Sequence, residues 1–204
     1  VKISVLLLAG GRSRRLGIDK RFLEFKEKPL ILRAFETSKT ISDDVHVLFS
    51  DIEDEEPLRR ILGAEPRFLI DSKPGSGPMG SLIGGLAVVK HEYALLLGID
   101  FPLMESSFLS KLSQKLQATV PLPKALVPIS SIHAQVTCAL YHSSLREPLK
   151  ADFDDGERSI WDWLKRHESL VQYVQESEWG IWANSNIFTN INTPEDLARL
   201  QQLD

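Results

Sequence analysis

Apolar residues recur along this chain in two periods, and the switching between them sets out its elements. Residues 3–9, Ile-Ser-Val-Leu-Leu-Leu-Ala, form a nearly unbroken apolar run that stops at Gly10-Gly11. Such a run is expected of a central parallel strand covered on both faces. A loop follows it rather than a helix. From Pro29, the spacing of Leu30, Ile31, Ala34 and Phe35 predicts a helix to Thr40, and residues 45–49 read as a second strand. Residues 53–62 begin acidic and turn basic, which suits a helix dipole, and residues 67–70 form a brief third strand. After a long Gly/Pro-rich loop, Pro78 opens a helix expected to reach Val89, with Leu82, Ile83, Leu86 and Val89 on one face. A fourth strand at 93–97 and a helix at 105–116 complete this alternation.

Beyond Pro121 the pattern changes, because residues 125–129 and 136–141 read as consecutive strands with no helix between them. Helices are expected over 143–150 and 157–167, a short strand near 170–174, and a last helix from Thr193-Pro194-Glu195-Asp196. In that last block Thr caps, Pro suits the first turn, and the acids favour the positive end of the helix. The fold expected is therefore α/β: a three-layer, Rossmann-like, mostly parallel sheet with an antiparallel addition in the C-terminal half. No repeat, low-complexity tract or interdomain linker interrupts it, so residues 1–204 are read as a single domain.

Composition narrows the function. Twenty-four Lys and Arg against 28 Asp and Glu give a net charge of −4, so no overall basic field exists to attract nucleic acid or an anionic membrane. The one cysteine, Cys138, cannot form an internal disulfide, and five scattered His offer no zinc-type cluster. The first residues resemble a short signal-peptide core, but Arg12, Arg14 and Arg15 follow at once without a small-residue cleavage site. A buried strand and a cytoplasmic location are the expectation, and no apolar run has the length of a membrane span.

The chemistry concentrates in residues 8–20, Leu-Ala-Gly-Gly-Arg-Ser-Arg-Arg-Leu-Gly-Ile-Asp-Lys. Gly10 and Gly11 stand at the carboxyl end of a strand, where ligands of open α/β sheets bind, and Arg12, Arg14, Arg15 and Lys20 follow. Glycines let backbone N–H groups approach phosphate oxygens, and the cations balance polyphosphate charge. The spacing is neither that of a P-loop nor that of the G-x-G-x-x-G dinucleotide fingerprint. Asp100, in Gly98-Ile99-Asp100-Phe101-Pro102, lies just past the fourth strand, beside the same loop. A carboxylate there suits magnesium held jointly with phosphates, or else caps a turn before the next helix.

The string Leu8-Ala9-Gly10-Gly11-x-Ser13-x-Arg15-Leu16-Gly17-x-Asp19-Lys20 resembles the signature of molybdenum cofactor guanylyltransferases, with Leu16 for the usual Met. The resemblance implies a nucleotidyltransferase fold and transfer of GMP from GTP to molybdopterin with Mg2+. It implies that the main chain of Leu8, Ala9 and Gly10, together with Gly11, contacts GTP, that Lys20 does so through its side chain, and that Arg15 sits by the phosphates. By resemblance to the family's D-x-P motif Asp100 would be the metal ligand, although Ile99 replaces the family's often smaller residue. Asp71 and the loop with Gly77 and Gly80 resemble the family's D-x-x-x-G-P-L-x-G region and would contact the nucleotide, as would Ser50 at the end of the second strand. Gly77-Pro78 is also ordinary helix-start chemistry.

Weaker blocks at 135–141 and 156–159, and Asn190-Ile191-Asn192-Thr193-Pro194-Glu195-Asp196, extend the resemblance to nearly the whole chain. It implies a GTP-binding part over 1–120 and an acceptor-side part over 121–204. Asn190 and Asn192 then fall on the acceptor side, where amides can hydrogen-bond a pterin or phosphate. Trp161, Trp163, Trp179 and Trp182 are read as core or contact residues, and His133 as a polar loop residue. A phosphate nucleophile is already ionised at neutral pH, so no general base is needed. Transient contacts with molybdoenzymes or cofactor-insertion proteins would follow from the implied product. The alternatives are CMP transfer, disfavoured by Gly10 where cytidylyltransferases tend to have Ala, and a non-catalytic nucleotide-binding regulator.

Overall fold

A computed structural model describes residues 1–10, 19–71, 75–130 and 133–201. Its strands are β1 (Ile3–Leu8), β2 (Glu24–Phe25), β3 (Lys28–Pro29), β4 (Val45–Phe49), β5 (Arg67–Ile70), β6 (Tyr93–Gly98), β7 (Ala125–Ser130), β8 (His133–Ala134), β9 (Cys138–His142) and β10 (Val171–Val174). The α-helices are α1 (Leu30–Lys39), α2 (Glu55–Leu62), α3 (Gly77–Leu86), α4 (Ser106–Ala118), α5 (Arg146–Asp154), α6 (Ile160–Arg166), α7 (Glu176–Trp179) and α8 (Pro194–Gln201). The main sheet runs β10-β7-β9-β6-β1-β4-β5, with β8 paired to β7. β1 is central, parallel to β4 on one side and to β6 on the other, with Val5 opposite both Val45 and Leu95.

The unbroken apolar run of β1 follows from that position. Successive side chains point to opposite faces of a strand. Accordingly Val5 and Leu7 enter one core with Ile31, Phe35, Phe108 and Leu112 from α1 and α4, whereas Leu6 enters the other with Leu82, Leu149 and Trp163 from α3, α5 and α6. The result is the expected three-layer arrangement. A smaller apolar cluster joins Leu23, Phe25 and Leu30 to Ile191 and Leu200, fastening the β2–β3 hairpin to α8. No helix among the described residues is long and apolar enough to cross a membrane.

Several boundaries differ from the sequence expectation. The antiparallel addition is β9 together with the short β8, since β7 and β10 pair in parallel and β7 opposes β9. α3 stops at Leu86 rather than Val89, where Gly84 and Gly85 weaken its last turn. Residues 143–145 form a 3-10 turn before α5, and α6 starts at Ile160 because the Ser159 side chain caps it, accepting from Asp162 N–H at 3.1 Å. The β2–β3 hairpin and the 3-10 turn Lys20–Phe22 carry no period that would announce them.

Candidate active site

Four parallel strands end on one edge of the sheet, and each delivers part of the site. β1 ends at Leu8 and leads to Ala9 and Gly10; β4 leads to Ser50, β5 to Asp71, and β6 to Asp100. Gly11 and Arg15 lie outside the described residues. Ala9 is buried and its N–H donates to Leu48 O at 2.8 Å, so the sheet has already taken its donor.

The first group surrounds Asp71. Its Oδ2 accepts from Ser81 Oγ at 2.8 Å and from Ser50 Oγ at 3.3 Å, and Ser50 stands against Gly10, where a Cβ would lie 3.0 Å from its hydroxyl. Burial raises the Asp71 carboxyl above its ordinary pKa, against the pull of the two hydroxyl donors. Gly77 and Gly80 open α3 beside this group and have local reasons to be glycine. Gly77 has φ +64°, and a Cβ on Gly80 would meet the Ser76 side chain at 2.2 Å. Ser81, one residue further on, escaped the sequence reading because a serine inside an apolar helix reads as a neutral position.

The second group centres on Lys20, which is buried although charged. Its ammonium donates to Asn192 Oδ1 at 2.9 Å and to Asp100 Oδ2 at 3.3 Å. The local sequence aims it. Asp19 accepts from Arg21 N–H at 3.0 Å, which caps the 3-10 turn, and the same carboxylate pairs with the Arg21 guanidinium. Arg21 is itself buried and reaches Asp54 Oδ1 at 2.7 Å. Burial works against the Arg21 charge, but Asp19 and Asp54 overcome it and hold the guanidinium pKa above its ordinary value. Asp19 and Arg21 thus brace the turn that presents Lys20. Of these, only Asp19 had a legible signal, as an Asp opening a turn.

Asp100 is positioned from below by an absence. A Cβ on Gly98 would lie 2.4 Å from Asp100 Oδ1, so the carboxylate occupies space that only glycine leaves free. The Asp100 carbonyl accepts from Ile191 N–H at 3.2 Å, which brings residues 190–192 alongside. No group of three or more His, Cys, Asp or Glu that could hold a metal exists among the described residues. One carboxylate at a strand end therefore fits a cation that arrives with phosphates and does not fit a resident all-protein metal centre.

Next to Asp100 opens a cleft of about 500 Å³, lined by Phe101, Ser130, Gln135, Thr137, Thr189 and Asn190 among others. Hydroxyls and amides dominate it. Asn190 Oδ1 is buried and has no hydrogen-bond partner among the described residues. His133 also borders the cleft, exposed on β8, while Trp163 and Trp179 are buried in the core as expected. The structure therefore gathers Lys20, Asp100 and Asn192 in one group and Gly10, Ser50 and Asp71 in another, and sets Asn190 apart in the cleft.

A mostly parallel sheet with an aspartate at one strand end, a buried lysine facing it from the turn Lys20–Phe22 and a polar cleft alongside defines a nucleotidyltransferase-type site. Comparison with known proteins agrees: the profile of the MobA-like NTP transferase domain matches residues 5–170. A protein of Chloroflexus aggregans named "Probable molybdenum cofactor guanylyltransferase" is 30% identical, covering 98% of this chain and 93% of its own. The molybdenum cofactor guanylyltransferase of Shewanella woodyi is 27% identical, covering 99% and 97%. Among solved structures, molybdopterin-guanine dinucleotide biosynthesis protein A from Archaeoglobus fulgidus superposes with a TM-score of 0.81 at 25% identity, covering 98% of each chain. The chain belongs to the MobA-like NTP transferase family and is an enzyme of the molybdenum cofactor guanylyltransferase type.

Proposed function

We propose that this enzyme transfers GMP from GTP to the terminal phosphate of molybdopterin and releases pyrophosphate. The observation that carries the reading is the buried Lys20 ammonium facing Asp100 at 3.3 Å, between the glycine-rich strand end and the polar cleft. An acceptor phosphate oxygen attacks the α-phosphorus in line as pyrophosphate leaves. Both partners are anions, so catalysis consists of positioning and charge neutralisation.

Lys20 and Arg15 balance the triphosphate charge, and the main chain of Leu8, Ala9, Gly10 and Gly11 orients it. The Ala9 N–H is committed to the sheet, which leaves its carbonyl to accept from the N–H edge of a guanine. Asp71, held by Ser50 and Ser81, with Gly77 and Gly80 beyond it, forms the rest of the nucleotide side. Asp100 would hold Mg2+, which when bound screens phosphate charge and polarises the phosphoryl oxygens. Asn190 and the cleft take the acceptor, whose pterin carries N–H donors that the unpartnered Oδ1 can receive. Residues 1–120 and 121–204 act as nucleotide and acceptor parts of one domain, placed in the cytoplasm and passing product to molybdoenzymes or insertion proteins.

The test is substitution and nucleotide choice together. Asp100→Ala should abolish magnesium-dependent pyrophosphate release from GTP and molybdopterin, and survival of that release would remove the metal assignment. GTP with Mg2+ should raise the melting temperature more than CTP, since a ligand bound only by the native state stabilises it. The reverse order would make the enzyme a cytidylyltransferase. Tight GTP binding with no turnover would favour a regulator.

A further inference from the structure

We propose that Asn192 is a positioning residue for Lys20 rather than an acceptor contact, and that it keeps the lysine in the nucleotide site when a cation takes over Asp100. The proposal rests on the nucleotide reading above.

Among the described residues the lysine has two oxygen partners, and the shorter contact is to the neutral amide: Asn192 Oδ1 at 2.9 Å, against 3.3 Å to the Asp100 carboxylate. An ammonium has three N–H donors, so one is left for phosphate. A divalent cation on Asp100 competes with Lys20 for the same carboxylate, because like charges repel at that separation. Asn192 carries no charge for the metal to attract strongly, and it retains its hold.

The surrounding structure fixes Asn192 from the backbone. Its own N–H and that of Thr193 both donate to Asp196 Oδ2 at 2.9 Å, and Asp196 N–H returns a bond to Thr193 Oγ1 at 3.2 Å. The capping pattern that starts α8 thus sets the position of the amide. Ile191 N–H is tied to Asp100 O, and Ile191 and Leu200 are buried with Leu23, Phe25 and Leu30. The segment after Lys20 and the segment around Asn192 therefore share one small core, although the two side chains are 172 positions apart. Asn190 Oδ1, two residues earlier, has no hydrogen-bond partner among the described residues.

The exposed Asn192 side chain fills no cavity but holds one donor of the buried Lys20, so Asn192→Ala should fold with a melting temperature lowered by a few degrees. GTP affinity is measured by calorimetry without acceptor, in Mg2+ and in EDTA. In Mg2+, Asn192→Ala should weaken GTP about tenfold, the scale of one hydrogen bond to a charged group. In EDTA, where Asp100 still holds Lys20, the loss should be under about threefold by the same reasoning. In a Lys20→Met background Asn192→Ala should cost nothing further. Unchanged GTP affinity in Mg2+, an additive loss in the Lys20→Met background, or a defect confined to the KM for molybdopterin would each overturn the proposal. Failure of the wild type to bind GTP would instead refute the nucleotide reading itself.

Discussion

Gly98→Ala tests the placement of Asp100 without touching its carboxylate. Gly98 closes β6 with its N–H on Thr137 O at 2.7 Å, and an added Cβ would lie 2.4 Å from Asp100 Oδ1 and 3.4 Å from Phe101 Cε2. The second distance is ordinary contact; the first is not. The carboxylate must withdraw by about 1 Å, and displacement of a catalytic group on that scale costs about 10²-fold in rate. The fold loses far less, because the end of one side chain moves, at about 0.5–1.5 kcal/mol for an off-rotamer torsion. For a domain of this size that lowers the melting temperature by about 1–6 °C. Pyrophosphate release is followed by a coupled assay at saturating molybdopterin while GTP and Mg2+ are varied. The expected result is a loss of about 10² in kcat/KM for GTP, with a raised Mg2+ requirement. Asp100→Asn, which adds no heavy atom, should show a comparable loss of activity, with some loss of stability because the buried Lys20 loses its anionic partner. Gly98→Ala activity within about threefold of wild type, where 10² is expected, would refute the argument that Asp100 works from this position.

Two further substitutions test charges elsewhere on the sheet. Asp44, at the opposite edge, accepts from Ser4 Oγ at 2.6 Å, Lys90 N–H at 2.8 Å and His46 Nε2 at 3.1 Å; Asp44→Ala strands these donors and should cost on the order of 3 kcal/mol in urea unfolding. Burial pushes the Asp44 carboxyl up, but these bonds outweigh it and hold it below the ordinary 3.8, so its contribution is present above pH 3.8 and fades below. A difference from wild type that persists undiminished at strongly acid pH would contradict this. Asp71 is the converse case: burial raises its pKa, so its contribution is present below the ordinary 3.8 and lost as pH rises through the higher folded value. Asp71→Asn should therefore raise the melting temperature of the ligand-free protein at pH 7 but not at pH 3.5, while weakening GTP binding; a lower melting temperature at pH 7 would count against it.

Strand β1 was legible because burial on both faces leaves a continuous apolar run. The order of strand, crossover and strand followed from period alone. What stayed hidden was pairing between distant segments. Nothing near residue 192 signals that its amide meets Lys20, and nothing in Asn190 versus Asn192 tells which one is bonded. Nothing in the sequence marks Arg21 as buried, yet it is, because Asp54 comes from the turn before α2. The direction of β10 was equally silent, since a four-residue strand carries no mark of which neighbour it will choose.

The place of β9 has a consequence for how the chain is made. β9 lies between β6 and β7 in space but follows both in sequence, so among the described strands β7 has just the two-residue β8 to lie beside until residues 138–142 have left the ribosome. Until then one edge of β6 is bare, and all six of its residues are ones the finished protein buries. Such an edge invites pairing with other chains. A fragment ending near residue 120 would contain Lys20, Asp71 and Asp100, yet it should aggregate rather than bind nucleotide, and translation stalled between β7 and β9 should expose the nascent protein to chaperones at its most vulnerable moment.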